Sequence, residues 1–264
     1  MGYKFKPDLY FRPKSIDEAT EILLKHRADA KIIAGGTDLL VNKPKGTKVL
    51  VDIKGLNLSY VKNTDMGILI GSTTCFNNLA KSPLFHRQPF RVVSDAALEI
   101  GHYNLRNIAT VGGNICNAVP SADIPIALIA LDTVAVITGP TGERTVSLGG
   151  FFKFVRETVL GSGEFLKELM IPNQPRNTAT SFQKIGRTKV DIALVNAACR
   201  LTVEDGTAKD ARIILGAVAP TPIRVVEAEK ILNGKEMTPE LAEKAAKIAA
   251  ESTKPIDDVR SSAQ

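Results

Sequence analysis

Two segments of this chain share a pattern that few folds can use twice. "KIIAGGTDLLV" runs from Lys31 to Val41, and "LRNIATVGGNICNAVPSADIPIAL" runs from Leu105 to Leu128. Each places a Gly-Gly pair after an apolar run, beside hydroxyl residues and with a carboxylate further on. Paired glycines let the backbone turn sharply and bring amide N–H groups close to a ligand. A row of such amides makes a nest for an anion, above all phosphate. Neither segment has the G-x-G-x-x-G or P-loop spacing, and no acidic residue follows a second strand as a Rossmann fold requires. One such segment alone reads as a plain turn. Two together fit a diphosphate gripped from both sides. Asp123 lies just past the second pair, in "PSADIP". A carboxylate near a diphosphate is unfavourable unless it bonds a hydroxyl, which points to a ribose or ribityl chain. The alternative for Asp123 is an N-cap on the apolar helix that follows.

Composition narrows the classes. The 264 residues are enough for two or three lobes with an ordinary core, and 44% hydrophobic with 23% charged residues is typical of a globular protein. The net charge of +6 is spread along the chain with no basic block interleaved with aromatics, which disfavours nucleic acid. It suits an acidic partner or an anionic cofactor. Cys75, Cys116 and Cys199 are far apart, without C-x-x-C or a histidine pair. They exclude zinc, an iron–sulfur cluster held by this chain alone and a disulfide framework, and read as small buried residues in a reducing compartment. No run is long enough to span a membrane, the start lacks a signal core, and "GYKFKP" after Met1 lacks the residue a myristoylation signal needs. The expected location is the cytoplasm. His26, His86 and His102 are scattered and read as surface or packing residues, with His102 best placed to border a ligand.

Periodicity organises the rest. Ser15 and Glu18 form a capping box for a helix in "SIDEATEILLKHR". Short strands follow in "AKIIAGG" and "TKVLVDIKG", so the first lobe reads as a parallel β-α-β unit. The second lobe mixes strands and helices, including a hairpin at "GPTGE", and ends near Pro172 before the proline-containing linker "PNQPRNTAT". In the third lobe, three antiparallel strands are expected, with "EDGTAK" as a hairpin turn, then two helices stopped and started by Gly234, Thr238 and Pro239. The divisions expected are 1–57, 58–173 and 174–264.

"IIAGGTDLL", "RNIATVGGNICNAVPSADIPIALIAL", "FQKIGRTKVDIALVNAACRL" and "DDVRSSAQ" occur in the order found in one family. Together they resemble the FAD-binding medium subunits of the molybdenum hydroxylases, the xanthine dehydrogenase family that includes the carbon monoxide dehydrogenases. The resemblance implies an α+β fold: two FAD-binding lobes of the vanillyl-alcohol-oxidase (PCMH) type and a C-terminal lobe with a three-stranded antiparallel sheet. It implies that FAD is held by the loop Ile32, Ile33, Ala34, Gly35, Gly36, Thr37, Asp38 and Leu39. It adds the loop Thr110, Val111, Gly112, Gly113 and Asn114, with Asp123. Leu166 and Ile100 are implied to lie against the flavin, and Lys184 to point toward it, although some relatives carry the lysine where this chain has Gln183.

The resemblance also implies partners. A large subunit carries the molybdopterin cofactor, and a small iron–sulfur subunit carries [2Fe–2S] clusters. An acceptor such as NAD+ or a quinone takes the electrons. Family members continue past the segment like "DDVRSSAQ" into a closing basic helix, whereas this sequence stops at Gln264. The expectation is a weaker third lobe with the FAD loops unaffected. Two other readings stand beside this one: a structural or assembly member that binds FAD poorly, and a stand-alone FAD-dependent oxidoreductase, for which the third lobe offers no catalytic set.

Overall fold

A computed structural model describes residues 5–263; Met1–Lys4, with the Gly2 position, and Gln264 lie outside the described residues. The first lobe is a three-stranded parallel sheet, Leu9–Phe11, Val49–Asp52 and Ala30–Ile33 in spatial order. The helix Ile16–His26 covers it with Ala19, Thr20 and Leu23. The Ser15 hydroxyl accepts from the Glu18 amide, as expected of an N-cap. Glu18 does not close the box on Ser15; its carboxylate accepts from the Lys14 amide one residue earlier. The parallel pairing of Ala30–Ile33 with Val49–Asp52 matches the expected unit. The third strand, Leu9–Phe11, was not anticipated: it is three residues long and largely exposed, too short for an alternating signal.

The second lobe carries a five-stranded antiparallel sheet in the order Val61–Thr64, Gly67–Gly71, Phe165–Pro172, Val134–Gly139, Gly142–Ser147. The hairpin expected at "GPTGE" closes between Gly139 and Gly142. Helices Phe76–Lys81, Arg91–Leu98, Val111–Asn117 and Ile124–Ala130 pack with it. Every residue of Ile124–Ala130 is buried, so this helix is a central pillar rather than an amphipathic cover.

The third lobe corrects one expectation. Its antiparallel sheet has four strands, Thr178–Ile185, Val195–Glu204, Thr207–Gly216 and Ile223–Arg224. The fourth is two residues long, paired at Ile214 and Leu215, and follows the prolines of "APTPI", which hide it from a propensity reading. The "EDGTAK" turn has Asp205 and Gly206 both at positive φ, the backbone that a two-residue hairpin turn needs.

Strand alternation gives this sheet two buried faces. Ala211, Ile213 and Leu215 pack with Ala245 and Ala249 of the helix Pro239–Glu251. Phe182, Ala198 and Ile214 face the other way and join the core of the second lobe, where the helix Ile124–Ala130 lies. The second and third lobes therefore share one continuous core.

Candidate cofactor site

The two glycine segments meet. An ideal Cβ on Gly35 would sit 2.2 Å from the Ile108 carbonyl oxygen and 3.1 Å from Ala109 Cα. Only glycine allows the first loop to lie this close to the approach of the second. Replacing Gly35 by alanine is therefore expected to cost about 1–3 kcal/mol and to push the loops apart. A Gly35→Ala protein with the wild-type Tm would refute that contact.

The segments then differ. In the first, Gly36 has φ +71°, and no described residue accepts a hydrogen bond from the amides of Gly35, Gly36, Thr37 or Asp38. These residues are half-buried, and their four successive N–H groups have no acceptor among the described residues. Amides left free in this way are what an anion nest requires. In the second segment the amides are already committed. Val111 donates to the Thr74 carbonyl and Gly112 to that of Ser72, at 2.9 and 2.8 Å. Gly113 donates to the Thr110 hydroxyl, and Asn114 to the Thr110 carbonyl. The expectation of an amide row at both segments thus holds only for the first. The second loop offers an open glycine instead, because Gly113 is exposed while Thr110, Val111 and Gly112 are buried. Beside it, the Asn114 Oδ1 is buried and lacks a hydrogen-bond partner. Such an orphan is costly unless a ligand or water completes it.

Asp38 ties the loops together at their far end. Its carboxylate accepts from Asn42 Nδ2 and, at 2.8 Å, from Asn117 Nδ2 at the end of the helix Val111–Asn117. Arg156 donates to Asn117 Oδ1 at 2.8 Å and lies 3.5 Å from Asp38 Oδ1. Ile32 and Ile33 end the strand that feeds the first loop. Ala34 packs under it with the first-lobe core, and Leu39 opens the single turn Leu39–Asn42.

A second cluster forms where the lobes share their core. Asp123 sits at the start of the pillar helix, but its side chain caps nothing. One oxygen accepts from Lys184 Nζ at 2.8 Å and the other from Asn196 Nδ2 at 2.7 Å, so the N-cap alternative is set aside. Both members of the ion pair are buried, with side chains 4% and 6% exposed. Lys184 Nζ also donates to the Glu99 carbonyl, next to Ile100. Burial raises the Asp123 pKa above the ordinary value, and the bonds from Lys184 and Asn196 oppose that rise. Of the two positions considered, Gln183 lies on the exposed face of its strand, whereas Lys184 shares the face of Phe182.

The predicted residues thus fall into two neighbouring groups. Residues 32–39 meet the segment that carries 110–114 on either side of it, through Gly35 against Ile108 and Ala109 and through Asp38 with Asn117. Asp123, Lys184 and Ile100 converge at the junction with the third lobe. Leu166 is buried in the main core, on the strand beside Ile137. Cys116, whose thiol contacts the Leu166 backbone, is pushed up to about 12 by burial and stays neutral. His102 caps the turn Tyr103–Arg106 through Nδ1, a structural role. Arg156, Asn117 and Asn196 escaped the sequence reading, although Asn117 and Asn196 both lie inside quoted motifs.

The open amides, the exposed Gly113 and the orphaned Asn114 oxygen fit an anionic, hydrogen-bonding cofactor such as FAD. Among the described residues no group of three or more His, Cys, Asp or Glu side chains could hold a metal ion. No helix among them is long and apolar enough to cross a membrane.

Comparisons with known proteins name the family of the chain. The family described as the FAD binding domain in molybdopterin dehydrogenase matches residues 3–174. The CO dehydrogenase flavoprotein C-terminal domain matches residues 180–264. The chain is 32% identical over 258 residues to the carbon monoxide dehydrogenase medium chain of Hydrogenophaga pseudoflava, covering 96% of this chain and 90% of that one. It is 30% identical over 244 residues to the nicotinate dehydrogenase FAD-subunit of Eubacterium barkeri, covering 89% and 82%. A solved carbon monoxide dehydrogenase from Hydrogenophaga pseudoflava, lacking the Mo-pyranopterin moiety of its molybdenum cofactor, superposes with a TM-score of 0.93. The identity there is 33%, over 98% of this chain and 91% of that one.

Proposed function

The chain belongs to the FAD-binding subunits of the molybdenum hydroxylases, the xanthine dehydrogenase family with its carbon monoxide dehydrogenase medium chains, and from this we propose how it works within a larger oxidoreductase. A small partner subunit supplies electrons from [2Fe–2S] clusters, a large partner carries the molybdopterin cofactor and oxidises the substrate, and an acceptor such as NAD+ or a quinone removes the electrons. This chain holds the FAD between donor and acceptor.

FAD supplies reversible one- and two-electron chemistry when bound. The chain's own work is placement. The amides of Gly35, Gly36, Thr37 and Asp38 receive the diphosphate, and Gly113 leaves room for its approach. Asn114 Oδ1 accepts from a donor group of the cofactor. Asp123, held by Lys184 and Asn196, fixes the junction beside Ile100 where the flavin end is positioned, with Leu166 behind it. The divisions 1–57 and 58–173 enclose the cofactor, and 174–264 braces the second of them. No side chain in the site needs to act as an acid or base.

The observation that carries this reading is the row of four amides without acceptors among the described residues, on a loop packed against the residues that lead into a second loop with an exposed glycine and an orphaned amide oxygen. An absorption spectrum of the purified chain, with the cofactor released by heat and identified, tests it. Flavin bands with free FAD are the expected result. A colourless chain that takes up no added FAD, alone or assembled with its co-expressed partners, refutes it.

A further inference from the structure

The nest contains a problem of charge. Asp38 supplies the last of the four open amides, and it carries a carboxylate. An uncompensated carboxylate there would repel a diphosphate across a few ångströms. Asn42 and Asn117 satisfy its oxygens but bring no charge. The one cation within 4 Å of it among the described residues is Arg156, with Nη1 at 3.5 Å.

Arg156 is held in place from two directions. Its backbone is left-handed, with φ +60°, and its amide donates to the Ala118 carbonyl at 2.9 Å. Its Nη1 donates to Asn117 Oδ1 at 2.8 Å. Nε and Nη2 have no acceptor among the described residues, and the side chain is 52% exposed. Its bidentate edge is thus free of protein acceptors, on a side chain that reaches the Asp38 carboxylate.

We propose that Arg156 is a further binding residue for the cofactor's diphosphate: it cancels the Asp38 charge and presents its free guanidinium edge to a phosphate oxygen. The fork geometry of guanidinium suits phosphate better than an ammonium does. This inference rests on the proposed FAD-holding role.

The test titrates the apo chain with FAD at low and high salt, following flavin fluorescence, with ADP as a competing diphosphate. Arg156→Gln is expected to weaken FAD binding by about tenfold at low salt, to weaken ADP competition in parallel and to flatten the salt dependence. Arg156→Lys should recover part of the loss. If wild-type chain binds neither FAD nor ADP, the FAD-holding role itself fails, and the inference with it. If wild-type chain binds and Arg156→Gln binds equally well, only the inference is overturned. It is also overturned if Arg156→Gln loses affinity equally at both salt concentrations while its Tm falls, because that marks a structural clamp.

Discussion

Replacing Gly113 by valine is expected to abolish FAD retention while leaving the fold close to intact. Gly113 is exposed, and the one heavy atom near its ideal Cβ is the Thr110 hydroxyl oxygen at 2.9 Å. That oxygen is the N-cap acceptor, so disturbing it costs about 1 kcal/mol. The branched side chain then occupies the space through which the cofactor approaches. Its neighbour provides the contrast. A Cβ on Gly112 would lie 2.6 Å from both Cβ and the carbonyl oxygen of Ser72, while the Gly112 amide is bonded to that same oxygen. Backbone on both sides cannot give way, so Gly112→Ala is expected to destabilise the second lobe by about 1–3 kcal/mol. Melting curves and flavin spectra of both purified variants check the pair. Gly113→Val with full flavin occupancy, or Gly112→Ala with an unchanged Tm, would show that the two glycines have been assigned the wrong work.

This contrast marks what the sequence could and could not reveal. The existence and order of the two glycine loops, the helix start at Ser15 and the hairpin turn at Asp205–Gly206 were legible. Each depends on residues within three or four positions of one another. Which amides remain open was not legible. It depends on Ser72 and Thr74 reaching Gly112 and Val111 from a distant strand end. The fourth strand of the third lobe is two residues after a proline run and leaves no periodic trace. Arg156 sits in a short hairpin with no motif around it, and its role emerges only when Asp38, 118 residues away, is brought beside it. Asp123 stood out from its place past the second glycine pair and Lys184 from the resemblance, yet nothing local joins them. They are 61 positions apart and meet because one sheet face of the third lobe packs on the pillar helix.

That meeting yields the second large effect. Lys184→Met is expected to destabilise the chain by about 3–5 kcal/mol, because it leaves a buried carboxylate without its cation. The loss should fall on the junction of the second and third lobes, since the same ammonium also holds the Glu99 carbonyl. The pH dependence has a definite sign. Burial raises the folded-state pKa of Asp123 above its ordinary value in the unfolded chain. Between these two values the folded chain holds more protons than the unfolded one, so the group's contribution to stability falls as pH rises through that window. Removing Lys184 removes two influences that lower this pKa, its hydrogen bond and its charge. The window then extends further upward. The deficit of Lys184→Met should be smaller near pH 4 and larger near pH 7, and Asp123→Asn in the same chain should restore part of it at neutral pH. Urea unfolding of the single and double variants at both pH values measures this. A deficit that is independent of pH and untouched by Asp123→Asn would mean that Lys184 acts through packing of its stem, and that the ion pair contributes nothing to joining the lobes.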